Sequence, residues 1–168
     1  MRKAAKVAGV LIVWLVFAPG LRSQDKDRAE LAKAVAGAKV SLEQGLSTSV
    51  HAGKPISAKF EIEDGKLQLS VYTAKGDSFS EVVVDHTTGK TTKTEPITSG
   101  EDFTAAKAQS EAMSKAKRSL REALANALKG NPGFRAVSIF PTLKDGHPVA
   151  EVSLAKGEEW KSVSEKLD

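Results

Sequence analysis

Apolar and polar residues alternate through Ile56, Ala58, Phe60 and Ile62, and again through Leu67, Leu69, Val71 and Thr73. A period of two marks half-buried strands, and Asp64-Gly65 between them marks a tight hairpin. Lys75-Gly76-Asp77 turns the chain once more. In Ser78 to Asp85, Val82 and Val84 fall on one face while Phe79, Glu81 and Val83 fall on the other. That pattern predicts a bulge near Ser80 that switches the face. Thr88-Gly89-Lys90 makes a third turn, Thr91 to Thr94 reads as a short edge strand, and Pro96 ends the run. Ahead of this meander, Leu31, Ala34, Val35, Ala38 and Leu42 recur at helical spacing, with a stop at Gly45 or a run on to Thr48. Asp27-x-x-Glu30 opens that helix as a capping box with a carboxylate in place of the hydroxyl.

The pattern then returns. Asp64-Gly65 reappears as Asp145-Gly146, 81 positions on (145 − 64), and Ala74-Lys75-Gly76 reappears as Ala155-Lys156-Gly157 at the same offset. Val71 matches Val152, Phe79 matches Trp160 and Val82 matches Val163, without a gap. A second helix is predicted over Asp102 to Lys129, capped by Ser99 or Asp102, with Met113, Ala116, Leu120, Leu124 and Leu128 as its stripe. Gly130-Asn131-Pro132-Gly133 stops it. Val137 and Ile139, Val149 to Leu154, and Trp160 to Val163 repeat the strands, with Phe140-Pro141 favouring an edge position or a local break. The predicted architecture is α+β: two repeated units, residues 25–97 and 98–168, each a helix packed on its own antiparallel β-meander. The second unit lacks a counterpart to Asp85 through Thr94.

Residues 1–24 stand apart. Arg2, Lys3 and Lys6 precede an apolar run from Val7 to Ala18, followed by Ala18-Pro19-Gly20. The run falls short of the roughly 20 residues that span a bilayer and fits a secretory signal peptide. An uncleaved anchor or a buried first helix are the other readings. Four of the 25 basic residues, Arg2, Lys3, Lys6 and Arg22, precede Asp25, and no acid does. The remainder carries 21 residues of each sign. The pI near 9.2 therefore reflects the leader, and a nucleic-acid partner is not supported. There is no cysteine, which excludes disulfides, thiolate metal sites, a cysteine nucleophile and a lipidated cysteine.

Candidate chemistry is sparse. His51, His86 and His147 are the three histidines, at no metal-ligand spacing. Asp85 and His86 are adjacent on a strand, so they point to opposite faces and make a poor acid–base pair. Glu61 with Glu63, and Glu158 with Glu159, read as solvated positions. Lys115, Lys117, Arg118 and Arg121 read as the outer face of the second helix. No G-x-S-x-G, H-E-x-x-H or phosphate-loop motif occurs. The reading assigns no catalytic residue, no metal ligand and no cofactor, and no binding residue is singled out.

Residues 29 to 97 resemble a PepSY domain. The resemblance rests on the Ala-rich helix at Leu31 to Gly45, on G-K-P-I-S-A-K-F-E-I-E-D-G at Gly53 to Gly65, and on V-V-V-D-H-T-T-G-K at Val82 to Lys90. The last is similar to the family's closing V-D-x-x-T-G-K, in which Asp85 caps the turn and Gly89 takes positive φ. The resemblance implies an extracytoplasmic, non-enzymatic module like those in thermolysin-type propeptides, with a protein-binding or peptidase-inhibiting role. A periplasmic or secreted protein binding a peptidase or another envelope protein is thus expected, with no stable membrane insertion once the signal is cleaved. Strand addition at Thr91 to Thr94 or at Arg135 to Ile139 is the expected mechanism. The alternative is a small-ligand protein or enzyme with its site in the groove between the two units.

Overall fold

The computed structural model describes residues 23–168; the expected leader lies outside the described residues except for Ser23 and Gln24. Helices α1 (Ser23–Gly37) and α2 (Leu42–Thr48) and a short 3-10 turn (Ser49–His51) precede strands β1 (Lys54–Glu63), β2 (Lys66–Lys75), β3 (Ser78–Val84) and β4 (Thr91–Ile97). Helices α3 (Gly100–Lys115) and α4 (Leu120–Lys129) precede β5 (Arg135–Lys144), β6 (His147–Lys156) and β7 (Glu159–Lys166). The fold is α+β, with one antiparallel sheet in the order β4-β3-β2-β1-β5-β6-β7. No described helix is long and apolar enough to cross a membrane.

Each expected helix is two helices. The first starts at Ser23, ahead of the Asp27-x-x-Glu30 pattern, and stops at Gly37. Ser41 then opens α2 with a capping box: its Oγ accepts from Gln44 N at 3.3 Å, and Gln44 Oε1 accepts from Ser41 N at 2.8 Å. Ser119 opens α4 the same way with Glu122. At the breaks, backbone N–H groups find partners elsewhere. Lys39 and Val40 both donate to the His86 carbonyl, just past β3, at 3.0 Å. Lys117 and Arg118 donate to the Leu167 carbonyl, just past β7, at 2.7 and 3.0 Å. A chain that leaves its helix must satisfy those donors, and the strand ends supply the acceptors.

The two hairpins share their registers under the offset of 81. Ala58 pairs with Val71 as Ile139 pairs with Val152, and Val71 pairs with Val82 as Val152 pairs with Val163. A bulge interrupts β1 between Pro55 and Ser57 and β5 between Ala136 and Ser138. Asp64 and Asp145 (φ 49° and 52°) with Gly65 and Gly146 (φ 72° and 81°) form both tight turns in the left-handed region. The meanders join where Ala58 pairs with Ile139 and Lys59 with Ser138.

Both faces of the sheet are covered, which corrects two expectations. On one face Phe60, Leu69, Val71, Val82 and Val84 are buried, with Leu69 lying directly beneath Gly45 of α2. On the other, Phe79 meets Phe103 of α3 edge-on, with centroids 5.6 Å apart, and Ser57 donates to Gln109 of α3 at 2.7 Å. Phe79 and Val82 can therefore both be buried in a regular strand. β3 pairs with β2 without a shift, and no bulge occurs at Ser80; the irregularity lies instead between Val83 and Val84, against β4. Nor does each helix serve only its own meander. Helix α3 of the second half lies over Phe79 of the first, and Arg28 of α1 sits 4.9 Å from the ring centroid of Trp160 in the second.

Candidate functional site

The histidines stay apart. His51 Nδ1 lies 2.7 Å from the Thr48 carbonyl, His147 Nδ1 lies 2.8 Å from Asp168 Oδ2, and His86 follows β3. Asp85 turns to its own loop: its Oδ1 accepts from Thr87 N, Thr88 N and Thr88 Oγ1 at 2.9, 2.6 and 3.0 Å. Those bonds hold its carboxyl below the ordinary range. Gly89 closes the turn at φ 74°. Among the described residues, no group of histidine and acidic side chains is placed to hold a metal ion.

One polar cluster that the sequence did not point to lies on the α3 side of the sheet. Tyr72, Glu81 and Asp102 each carry a buried oxygen without a hydrogen-bond partner. Ser70 donates to Glu61 at 3.1 Å, and Lys59 pairs with Glu61 at 2.6 Å and lies 5.7 Å from the Tyr72 centroid. Burial raises the Glu81 carboxyl, opposed in part by Ser70, and burial also raises Asp102. Burial first, then the charge of Glu81, pushes the Tyr72 hydroxyl far above its ordinary value. The register shows how the cluster assembles, since Tyr72 stands opposite Glu81 and Lys59 opposite Ser70. The Lys59 charge works against burial at both Glu81 and Asp102.

A groove of about 590 Å³ runs between α2 and α4, lined by Leu46, Val50, Pro55, Met113 and Leu120. Val50 is 59% exposed there, the one large hydrophobic side chain left in solvent among the described residues.

The sheet has two edges, and they differ. β4 is exposed through Thr92 to Glu95, as expected of an edge, but it continues to Ile97 with Pro96 inside it. Asp85 N donates to Lys90 O at 2.9 Å, and counting along the ladder from there leaves Thr94 and Pro96 facing away from β3. Pro96 has no N–H to offer, a bulge breaks the strand near Thr92, and Lys93 and Glu95 pair with each other at 2.7 Å. These features blunt an edge.

β7 is the other edge, and it has neither a proline nor a bulge; its own ion pair, Lys161 with Glu159, is long at 4.0 Å. Its eight residues pair with β6 without a shift. Leu167 N donates to Pro148 O at 3.0 Å, which fixes the alternation. Trp160, Ser162, Ser164 and Lys166 therefore aim their N–H and C=O groups away from the sheet. On β3, the strand 81 positions earlier, the same side is covered by β4. The expected edge at Arg135 to Ile139 is not an edge at all. It lies in β5, between β1 and β6, and its proline is tolerated because β1 pairs with β5 only at Ser138 and Ile139.

No family model matches the chain, and no curated protein matches it significantly. Among solved structures it is similar to that of a "putative lipoprotein" from Clostridium difficile, at 11% identity and a TM-score of 0.40, over 68% of this chain and 75% of that one.

Proposed function

We propose that this protein is an exported, non-enzymatic PepSY-type module that binds a protein partner by taking an extended segment onto the free edge of β7. The observation that carries the reading is the run Trp160, Ser162, Ser164 and Lys166, with unpaired backbone groups on a regular strand free of proline and bulge. The closing turn supports the family resemblance: Asp85 caps it, Gly89 has positive φ, and the His86 carbonyl it presents receives Lys39 and Val40. A peptidase or another envelope protein is the partner we propose, bound outside the cytoplasm.

Ser164→Pro tests this. Proline there removes an N–H that faces outward and leaves the β6–β7 ladder intact. Partner recovered from an extracytoplasmic fraction by the parent should be lost with this variant, while circular dichroism stays unchanged. Full recovery by a folded Ser164→Pro protein overturns the edge as the binding site. The α2–α4 groove favours a second reading, a small apolar ligand held against Val50 and Leu46. Native mass spectrometry of the purified protein checks it, since a retained small molecule lost on Val50→Asp supports the groove.

A further inference from the structure

We infer that the β7 edge is built to receive the β7 edge of a second copy of this chain, antiparallel about a two-fold axis at Val163. The inference rests on the reading of β7 as an open, accepting edge and names an occupant for it. Two antiparallel copies related by such an axis keep each side chain on its own face of the joined sheet. Only residues of like parity then stand opposite each other. With the axis at Val163, Ser162 faces Ser164 of the other copy, Trp160 faces Lys166, and Lys161 faces Glu165, each twice by symmetry. All the outward residues, Trp160, Ser162, Ser164 and Lys166, then exchange N–H and C=O with an outward residue of the other copy.

The charges select this register over its neighbours. Moving the axis to Ser162 sets Glu159 against Glu165, and moving it to Ser164 sets Glu165 against Val163 and Lys161 against Leu167. An axis at Lys161 or Glu165 sets each residue against itself. Like charges directly opposite on a sheet are unfavourable, and opposite charges are favourable. The Glu165 backbone is bonded to β6, but its carboxylate has no hydrogen bond or ion pair among the described residues and is free for the lysine of another copy. Lys161 is 45% exposed; it lies 4.0 Å from Glu159 Oε1 on its own strand and 3.4 Å from Asn131 Oδ1, with the Phe134 centroid at 4.6 Å. It can turn to a closer carboxylate with little loss.

In the first half of the chain, a strand fits in the corresponding place. Arg28 of α1 covers Trp160 from above, as Phe103 of α3 covers Phe79, and beside Phe79 the strand β4 still fits against β3. The outer ends of the joined sheet would be two copies of β4. Pro96 and the bulge near Thr92 prevent further strands from adding there, so the assembly closes at two. The formal neutrality of residues 25–168 opposes no approach of like molecules.

Sedimentation equilibrium from micromolar to millimolar protein, lacking residues 1–24, tests the pairing. The parent should pass from monomer to dimer. Glu165→Lys and Lys161→Glu each place like charges opposite each other twice, and each should weaken association about tenfold or more. The double variant K161E/E165K exchanges the partners and should restore it. A parent that stays monomeric at millimolar concentration, or a double variant as weak as the singles, overturns the self-pairing. With either of those results, partner capture that is still lost with Ser164→Pro leaves the edge-binding reading standing while self-pairing falls. Capture that survives Ser164→Pro removes the edge reading itself.

Discussion

Gly53, at the head of the segment that carries the family resemblance, offers a sharp test of the packing. It sits at φ 154°, and a Cβ built on it would lie 2.6 Å from the Ala74 carbonyl oxygen and 2.9 Å from its carbon. Both are backbone atoms in the end pair of the β1–β2 ladder, where Lys54 stands opposite Ala74. Neither can rotate away as a side chain would. Gly53→Ala therefore incurs a backbone conformation that L residues rarely adopt, about 1–3 kcal/mol, and an overpacking cost of about 1–3 kcal/mol on top. Gly65→Ala is the matched control. Its φ of 72° is also positive, but nothing lies within 4 Å of the added carbon, so only the left-handed penalty of about 1–2 kcal/mol applies. Urea denaturation of both variants beside the parent should show Gly53→Ala as the less stable by about 2 kcal/mol. Equal midpoints and equal slopes for the two would mean that the close approach at Ala74 costs nothing, and the stated origin of the glycine would be wrong.

Two further outcomes follow from the core and from the buried acids. Leu167 is fully buried at the end of β7, so Leu167→Ala should cost about 2–4 kcal/mol in the same assay, and a loss below about 1 kcal/mol would show that the site collapses or was never filled. Burial raises the Glu81 carboxyl from 4.5, so the folded chain holds that proton more tightly than the unfolded one, and stability falls as pH climbs from 4.5 through the raised value. Glu81→Gln should raise the melting temperature at neutral pH and flatten the decline between mildly acidic and neutral pH; a parent whose stability rises across that window, with no change on substitution, contradicts the assignment.

What the sequence shows and what it hides divide along a physical line. The hairpins are legible because their signals are local: period-two alternation, and Asp-Gly pairs at positive φ. The helix breaks are hidden because their unpaired N–H groups are satisfied by His86 and Leu167, tens of residues away. Ser41-x-x-Gln44 and Ser119-x-x-Glu122 carry the local sign of both breaks, but the apolar spacing of Ala38 with Leu42, and of Ala116 with Leu120, runs straight through them. The bulge expected at Ser80 fails because alternation reports a covered face, and here both faces are covered. Arg135 to Ile139 looks like an edge because of Pro141, yet the strand lies mid-sheet with a short joint beside it. The site suffers the same limit. Trp160 to Val163 is recognisable as a strand, but which side of it is open depends on the order of all seven. The Tyr72, Glu81 and Asp102 cluster gathers residues from β2, β3 and α3 and leaves no motif.

Arg28 rests on Trp160, 132 positions along the chain (160 − 28), and Phe103 crosses back to Phe79. That exchange sets an order of events. A chain emerging from its amino end can form the first hairpin at once, but α1 has no ring to cover until the last strand has appeared. Contacts of such long sequence separation are slow to form, because the intervening loop must close before they bring any gain. The first helix to arrive is therefore among the last to complete its contacts, although it can meet β1 and β2 as soon as they form.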